Sequence, residues 1–186
     1  MSSFVRSRST RVGIAVGVLV VLALLLLSHS FGRAVPTNNY RPLLSPAALD
    51  NGCFPLPGDA SLDGLAHQVR WDGDVETSSG PRRELRGQYD LVGRDEATER
   101  IVAAFVAVGF REVSREDDGD TLVIELADGD ARVGLQTADL PGTDQETLVR
   151  GTFVLDLPVV AATSDDPLCS DPKSTKRFAP GQEPTR

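Results

Sequence analysis

Residues 95–137, DEATERIVAAFVAVGFREVSREDDGDTLVIELADGDARVGLQT, change hydrophobic period partway along, and that change decides the fold. Over 95–108, Ala97, Ile101, Ala104, Phe105 and Val108 recur at helical spacing, and Val102 and Val106 widen the apolar face. Asp95 is the expected N-cap, and Glu96 and Glu99 suit the positive end of the helix dipole. Gly109 stands where a left-handed residue closes a helix, with Phe110 placed to fold back on Phe105. From Asp120 the period falls to two. Leu122, Ile124 and Leu126 share one face, Ala127–Asp130 turns, and Ala131, Val133, Leu135 and Thr137 resume the alternation, which predicts a hairpin.

Working outward, residues 110–116 add a strand directly after the helix. Leu140–Glu146 reads as a polar turn. Over Thr147–Val160, Val149, Gly151, Phe153, Leu155 and Leu157 alternate until Pro158 stops the ladder. Upstream, residues 85–92, LRGQYDLV, alternate with Gly87 as the weak point. Ser61 is positioned to cap a short helix carrying Leu62, Leu65, Ala66 and Val69, although Gly64 weakens it. After Trp71, both Asp72-Gly73-Asp74 and Thr77–Pro81 read as turn and loop. The expectation is an α+β domain over residues 60–162, with one main helix on a largely antiparallel sheet of four or five strands in the order β-α-β-β-β.

The rest of the chain sets the address. Val12–Leu27 is an unbroken apolar run, and extending it to Phe31 gives 20 residues, enough to span a hydrocarbon core about 30 Å thick. Arg6, Arg8 and Arg11 precede it, so the positive-inside bias puts residues 1–11 in the cytoplasm and everything after the span outside. A cleaved signal peptide is the rival reading, with Ser28-His29-Ser30 or Gly32-Arg33-Ala34 as the processing site. Residues 32–59 hold five prolines (Pro36, Pro42, Pro46, Pro55 and Pro57) and read as a stalk or a strap laid over the domain. Residues 163–186 read as a tail fixed only at Cys169, loose from Pro172 on.

Cys53 and Cys169 are the only cysteines, and both follow the span. An even count in an oxidising compartment, with no C-x-x-C spacing, points to a disulfide linking Cys53 and Cys169, 116 residues apart, and two free thiols or a redox pair are the rival readings. Closing a loop of this length stabilises by about 4–5 kcal/mol in the chain-entropy account.

Charge and chemistry narrow the function classes. Residues 34–186 carry 15 basic and 27 acidic side chains, a net of −12, which disfavours nucleic acid and anionic headgroups as partners. The two histidines, His29 and His67, have no companions at triad or zinc-site spacing, and there is no Gly-rich phosphate loop or G-x-S-x-G elbow. His67 reads as a solvated surface residue. The pairs and triples Asp72/Asp74, Asp117/Asp118/Asp120 and Asp128/Asp130 offer oxygen ligands for calcium, yet Asp-Gly is also the pair that tight turns require. No catalytic, cofactor or metal residue is assigned. Arg82-Arg83 with Arg86, and Lys173, Lys176 and Arg177, read as solvated basic loops.

Arginine outnumbers lysine 17 to 2, and Val, Ala, Gly and Asp are abundant. In composition, though in no named motif, the chain resembles membrane-anchored proteins of high-GC bacteria such as actinobacteria. The resulting expectation is a single-pass cell-membrane protein, held through residues 12–31, whose extracytoplasmic domain is a non-catalytic binding or accessory module for another membrane or cell-envelope protein. The alternatives are a metal-dependent hydrolase using the Asp-rich loops, and a cleaved, soluble ligand-binding protein.

Overall fold

The computed structural model describes residues 48–178, together with Gly17, Val18 and Val21. The chain divides into two units, Met1–Thr37 and Asn38–Arg186, and the second unit carries the sheet and its helix. The expected span, 12–31, lies outside the described residues but for those three, as do residues 32–47 of the strap and 179–186 of the tail. Among the described residues no helix is long and apolar enough to cross a membrane.

Two strands, β1 (His67–Thr77) and β2 (Gly80–Asp90), form a hairpin. Helix α1 (Arg94–Val106) follows, and then a meander of β3 (Arg111–Asp117), β4 (Thr121–Asp128), β5 (Ala131–Asp139) and β6 (Val149–Leu157). The meander returns β6 to the side of β2, so one antiparallel sheet runs β1-β2-β6-β5-β4-β3. The domain is α+β with one main helix, as expected, and its sheet has six strands instead of four or five.

The period change in 95–137 produces the core. Ala97, Ile101, Val102 and Phe105 of α1 are buried against Leu122, Ile124, Leu126, Val133, Leu135, Phe153 and Leu155 on one face of the sheet. Burying side chains of this kind stabilises by about 1.5–3 kcal/mol each, which makes this face the main source of stability. The helix closes as expected: Gly109 takes φ +108°, the Phe110 N–H donates to the Phe105 carbonyl at 3.1 Å, and the two rings meet edge to face with centroids 5.6 Å apart.

Four local expectations are corrected. Asp95 is not the cap; α1 begins one residue earlier, at Arg94, with Gly93 as an N-cap that supplies only backbone. Residues 61–69 do not form a helix. Leu62 and Leu65 reach the core from a turn closed by the Leu65 N–H to Leu62 carbonyl bond at 2.9 Å, and Val69 belongs to β1. Gly64 weakens any helix there, and pairing of His67–Val69 with Gly87–Tyr89 supplies the backbone bonds a helix would have made. Asp72-Gly73-Asp74 is the middle of β1, not a turn, because Asp72 finds a buried cation and Gly73 lies under the Trp71 ring. Residues 172–178 are not loose: they hold a short helix α2 (Pro172–Thr175) and pair with the outer edge of β1.

The described part of residues 32–59 packs against the domain. Leu56 and Ala60 enter the core, and Gly58 lies against Val108 so closely that a Cβ there would come within 3.0 Å of it. Cys53 and Cys169 form the expected disulfide, with Cα atoms 5.2 Å apart across a separation of 116 residues.

Candidate functional site

Helix α1 covers one face of the sheet, and the other carries a row that crosses all six strands. By register, Trp71 pairs with Arg86, Arg86 with Val154, Val154 with Gln136, Gln136 with Val123, and Val123 with Glu116. Paired residues in antiparallel strands project to the same side, so these six share the outer face. Trp71 reaches it through the irregularity between Val69 and Trp71, which turns Val69 into the core and Trp71 away from it.

Trp71 is the anchor of that face. Its ring lies over Gly73, where a Cβ would come within 2.5 Å, and the Arg86 guanidinium sits 4.8 Å from the ring centroid. The side chain is only 5% exposed although it stands outside the core cluster, and its indole Nε1 has no hydrogen-bond partner among the described residues. Along the same face, Arg86 pairs with Glu84, Arg82 with Asp156 at 3.0 Å, and Arg132 with Glu125 at 3.6 Å, while Arg70 donates to Gln88 at 2.9 Å. The surface therefore alternates sign over short distances and carries apolar area at Val123 and Val154.

A second cluster lies where β1 meets the strap and the tail. The Arg83 guanidinium, fully buried, bonds both carboxylate oxygens of Asp72 at 2.8 and 2.9 Å and donates to the Phe54 and Pro55 carbonyls at 2.9 and 2.8 Å. Arg177 bonds Asp72 at 2.9 Å and Asp74 at 2.6 Å, and lies 4.6 Å from the Phe54 ring centroid. Every donor nitrogen of Arg83 is used, which is what makes a buried guanidinium tolerable. Asp72 and Asp74 are thus committed to arginines, and Arg83 and Arg177 are anchors, not solvated loop residues.

The other acidic loops are turns. Asp117 accepts from the Gly119 N–H at 2.8 Å and from Arg94 at 2.9 Å; the first bond, then the Arg94 charge, hold its carboxyl below the usual range. Asp118 caps the same turn through the Thr121 N–H at 2.7 Å, and Asp128 ends β4 while Asp130 lies within the two-residue β4–β5 turn. The Thr147 hydroxyl and the Glu146 N–H likewise lower Asp144. Among the described residues no three His, Cys, Asp or Glu side chains are grouped so as to hold a metal ion.

A cleft of about 440 Å³ opens beside the strap, with Leu49, Leu62, Asp50, Asp63 and His67 in its wall. His67 is half-buried, not solvated as expected. Its Nδ1 lies 2.7 Å from the Leu65 carbonyl, which fixes the proton there, and its ring meets Phe153 edge-on at 6.1 Å.

No protein-family model, no curated protein and no solved structure matches the chain.

Proposed function

We propose that this chain is a single-pass, membrane-anchored extracytoplasmic module that works by binding, without catalysis, and that its partner is another membrane or cell-envelope protein docked on the sheet face opposite α1. The observation that carries the reading is the Trp71–Arg86–Val154–Gln136–Val123–Glu116 row, a surface of mixed charge and apolar area around one rigid aromatic residue. The placement draws support from the apolar run after three arginines and from a disulfide that encloses the domain, a bond that persists in oxidising compartments.

Gentle detergent extraction of the tagged chain from its native membrane tests this. The expected result is a stoichiometric membrane or envelope protein that is lost with Val123→Arg and retained with Leu168→Arg, two exposed positions of which only the first is on the row. Retention of that protein by Val123→Arg would refute the docking face. Recovery of a soluble chain shortened by about 30 residues would refute the anchor.

A further inference from the structure

The two cysteines stand on segments held by different forces. On the Cys53 side, Leu56, Ala60, Leu62 and Leu65 belong to the core cluster, so apolar burial fixes that segment whether or not the disulfide is present. On the Cys169 side, no residue of 158–178 belongs to the cluster, and Thr175 is the one buried side chain in the stretch. What holds it is polar. The Thr163 N–H and hydroxyl donate to the Cys53 and Gly52 carbonyls at 3.0 and 2.8 Å, and the Asn51 amide donates to the Ser174 carbonyl at 3.2 Å. The Asp72 N–H donates to Lys176 at 2.8 Å and the Phe178 N–H to Asp72 at 3.0 Å, a short parallel bridge on the outer edge of β1. Arg177 adds its ion pairs to Asp72 and Asp74.

We propose that residues 158–178 are a redox-released clasp: reduction of Cys53–Cys169 by a dithiol frees them from β1 while the sheet and α1 stay folded. Apart from Asp72 and Cys53, the residues that make these contacts are partly or fully exposed and exchange them for water, so the contacts offset little of the entropy of ordering a segment whose apolar side chains are at most half-buried. The disulfide supplies the missing constraint. Cys53 is buried and Cys169 is half-exposed on the turn Pro167–Ser170, so the attacking thiolate meets the Cys169 sulfur. The S–S bond breaks and a mixed disulfide forms at Cys169. The second thiol of the reductant then displaces Cys169, leaving two protein thiols and an oxidised reductant, with two electrons and two protons transferred. Release withdraws Arg177 but leaves Asp72 on Arg83, so no buried carboxylate is stranded. It uncovers the Asp72 N–H and carbonyl, giving an open strand edge that an extended segment of another protein can pair with.

Amide hydrogen exchange on the full chain in detergent, oxidised and after dithiothreitol, decides the matter. The expected result is exchange at Asp72, Thr163 and Phe178 at least about tenfold faster on reduction, with Ile124, Leu135 and Phe153 unchanged. A Cys53→Ser/Cys169→Ser chain should show the same pattern without reductant. Acceleration of all six amides together would make the disulfide a staple of the whole domain, and acceleration of none would mean the polar contacts suffice. Either result overturns the proposal.

Discussion

The ring of Phe153 rests on the backbone of Gly87, its paired neighbour across β2 and β6, so closely that a Cβ at residue 87 would come within 2.2 Å of the ring. The next pair repeats the arrangement with roles exchanged: the Tyr89 hydroxyl lies 2.0 Å from where a Cβ of Gly151 would stand. Both glycines are therefore packing positions. Gly87→Ala is expected to destabilise by about 1–3 kcal/mol, the usual cost of overfilling a close-packed interior, read as a lower urea midpoint. An unchanged midpoint would mean that Phe153 does not occupy this place.

The buried pair Arg83–Asp72 makes a second demand. Asp72→Leu leaves the Arg83 guanidinium buried with two carbonyls and no counter-charge, and the expected loss is about 3–5 kcal/mol. Asp72→Leu/Arg83→Met removes both charges, and most of that loss should return. Urea unfolding of the two single variants and the double variant checks this, and additivity of the single losses would show that the two side chains do not meet.

Stability should also decline at alkaline pH. Burial, and then the 2.8 Å bond to Asp139, raise the Tyr89 phenol above its ordinary value. The folded state then keeps the proton while the unfolded chain gives it up. The contribution is complete below about pH 10, the unfolded value, and is lost as pH climbs from there towards the folded value. Tyr89→Phe should flatten that decline in urea midpoints between pH 9 and 11 (about one unit either side of the unfolded value). At the acid end the sign reverses: Asp117, Asp144 and Asp171 are held below their ordinary values, so what they contribute is present above about pH 4 and fades as pH falls through their depressed values.

The contrast between helix and tail shows what a sequence can reveal. Helix α1 and the β4–β5 hairpin were legible because their signals are local: a period of 3.6 closed by Gly109 and Phe110, then a period of two around a two-residue turn. The row on the outer face was not, because it depends on register across six strands and on an irregularity at residue 70. Strict alternation would put Val69 and Trp71 on one face, and the shift in pairing puts them on opposite faces. Gly87 looked like a weakness because its use comes from Phe153, 66 residues on. Arg177 looked like tail because its partner Asp72 is 105 residues away. The apolar spacing of Leu62, Leu65 and Val69 fits a helix and equally fits a turn that feeds a strand, and strand pairing decided between them.

The helix itself supplies the sharpest contrast between pattern and placement. The periodicity that marks Phe105 for burial also enrols Val106, yet Phe105 is 0% exposed and Val106 is 50% exposed. Phe105 touches Phe110 edge to face and lies in the core cluster between α1 and the sheet, so Phe105→Ala should cost about 3–5 kcal/mol through lost burial and the cavity left behind. Val106→Ala removes a side chain that is half in water and should stay within about 0.5 kcal/mol of the parent. Paired urea titrations read both numbers. A loss below about 1 kcal/mol for Phe105→Ala would move the core away from α1, and a loss for Val106→Ala matching that of Phe105→Ala would mean that the outer side of the helix is covered in the folded protein.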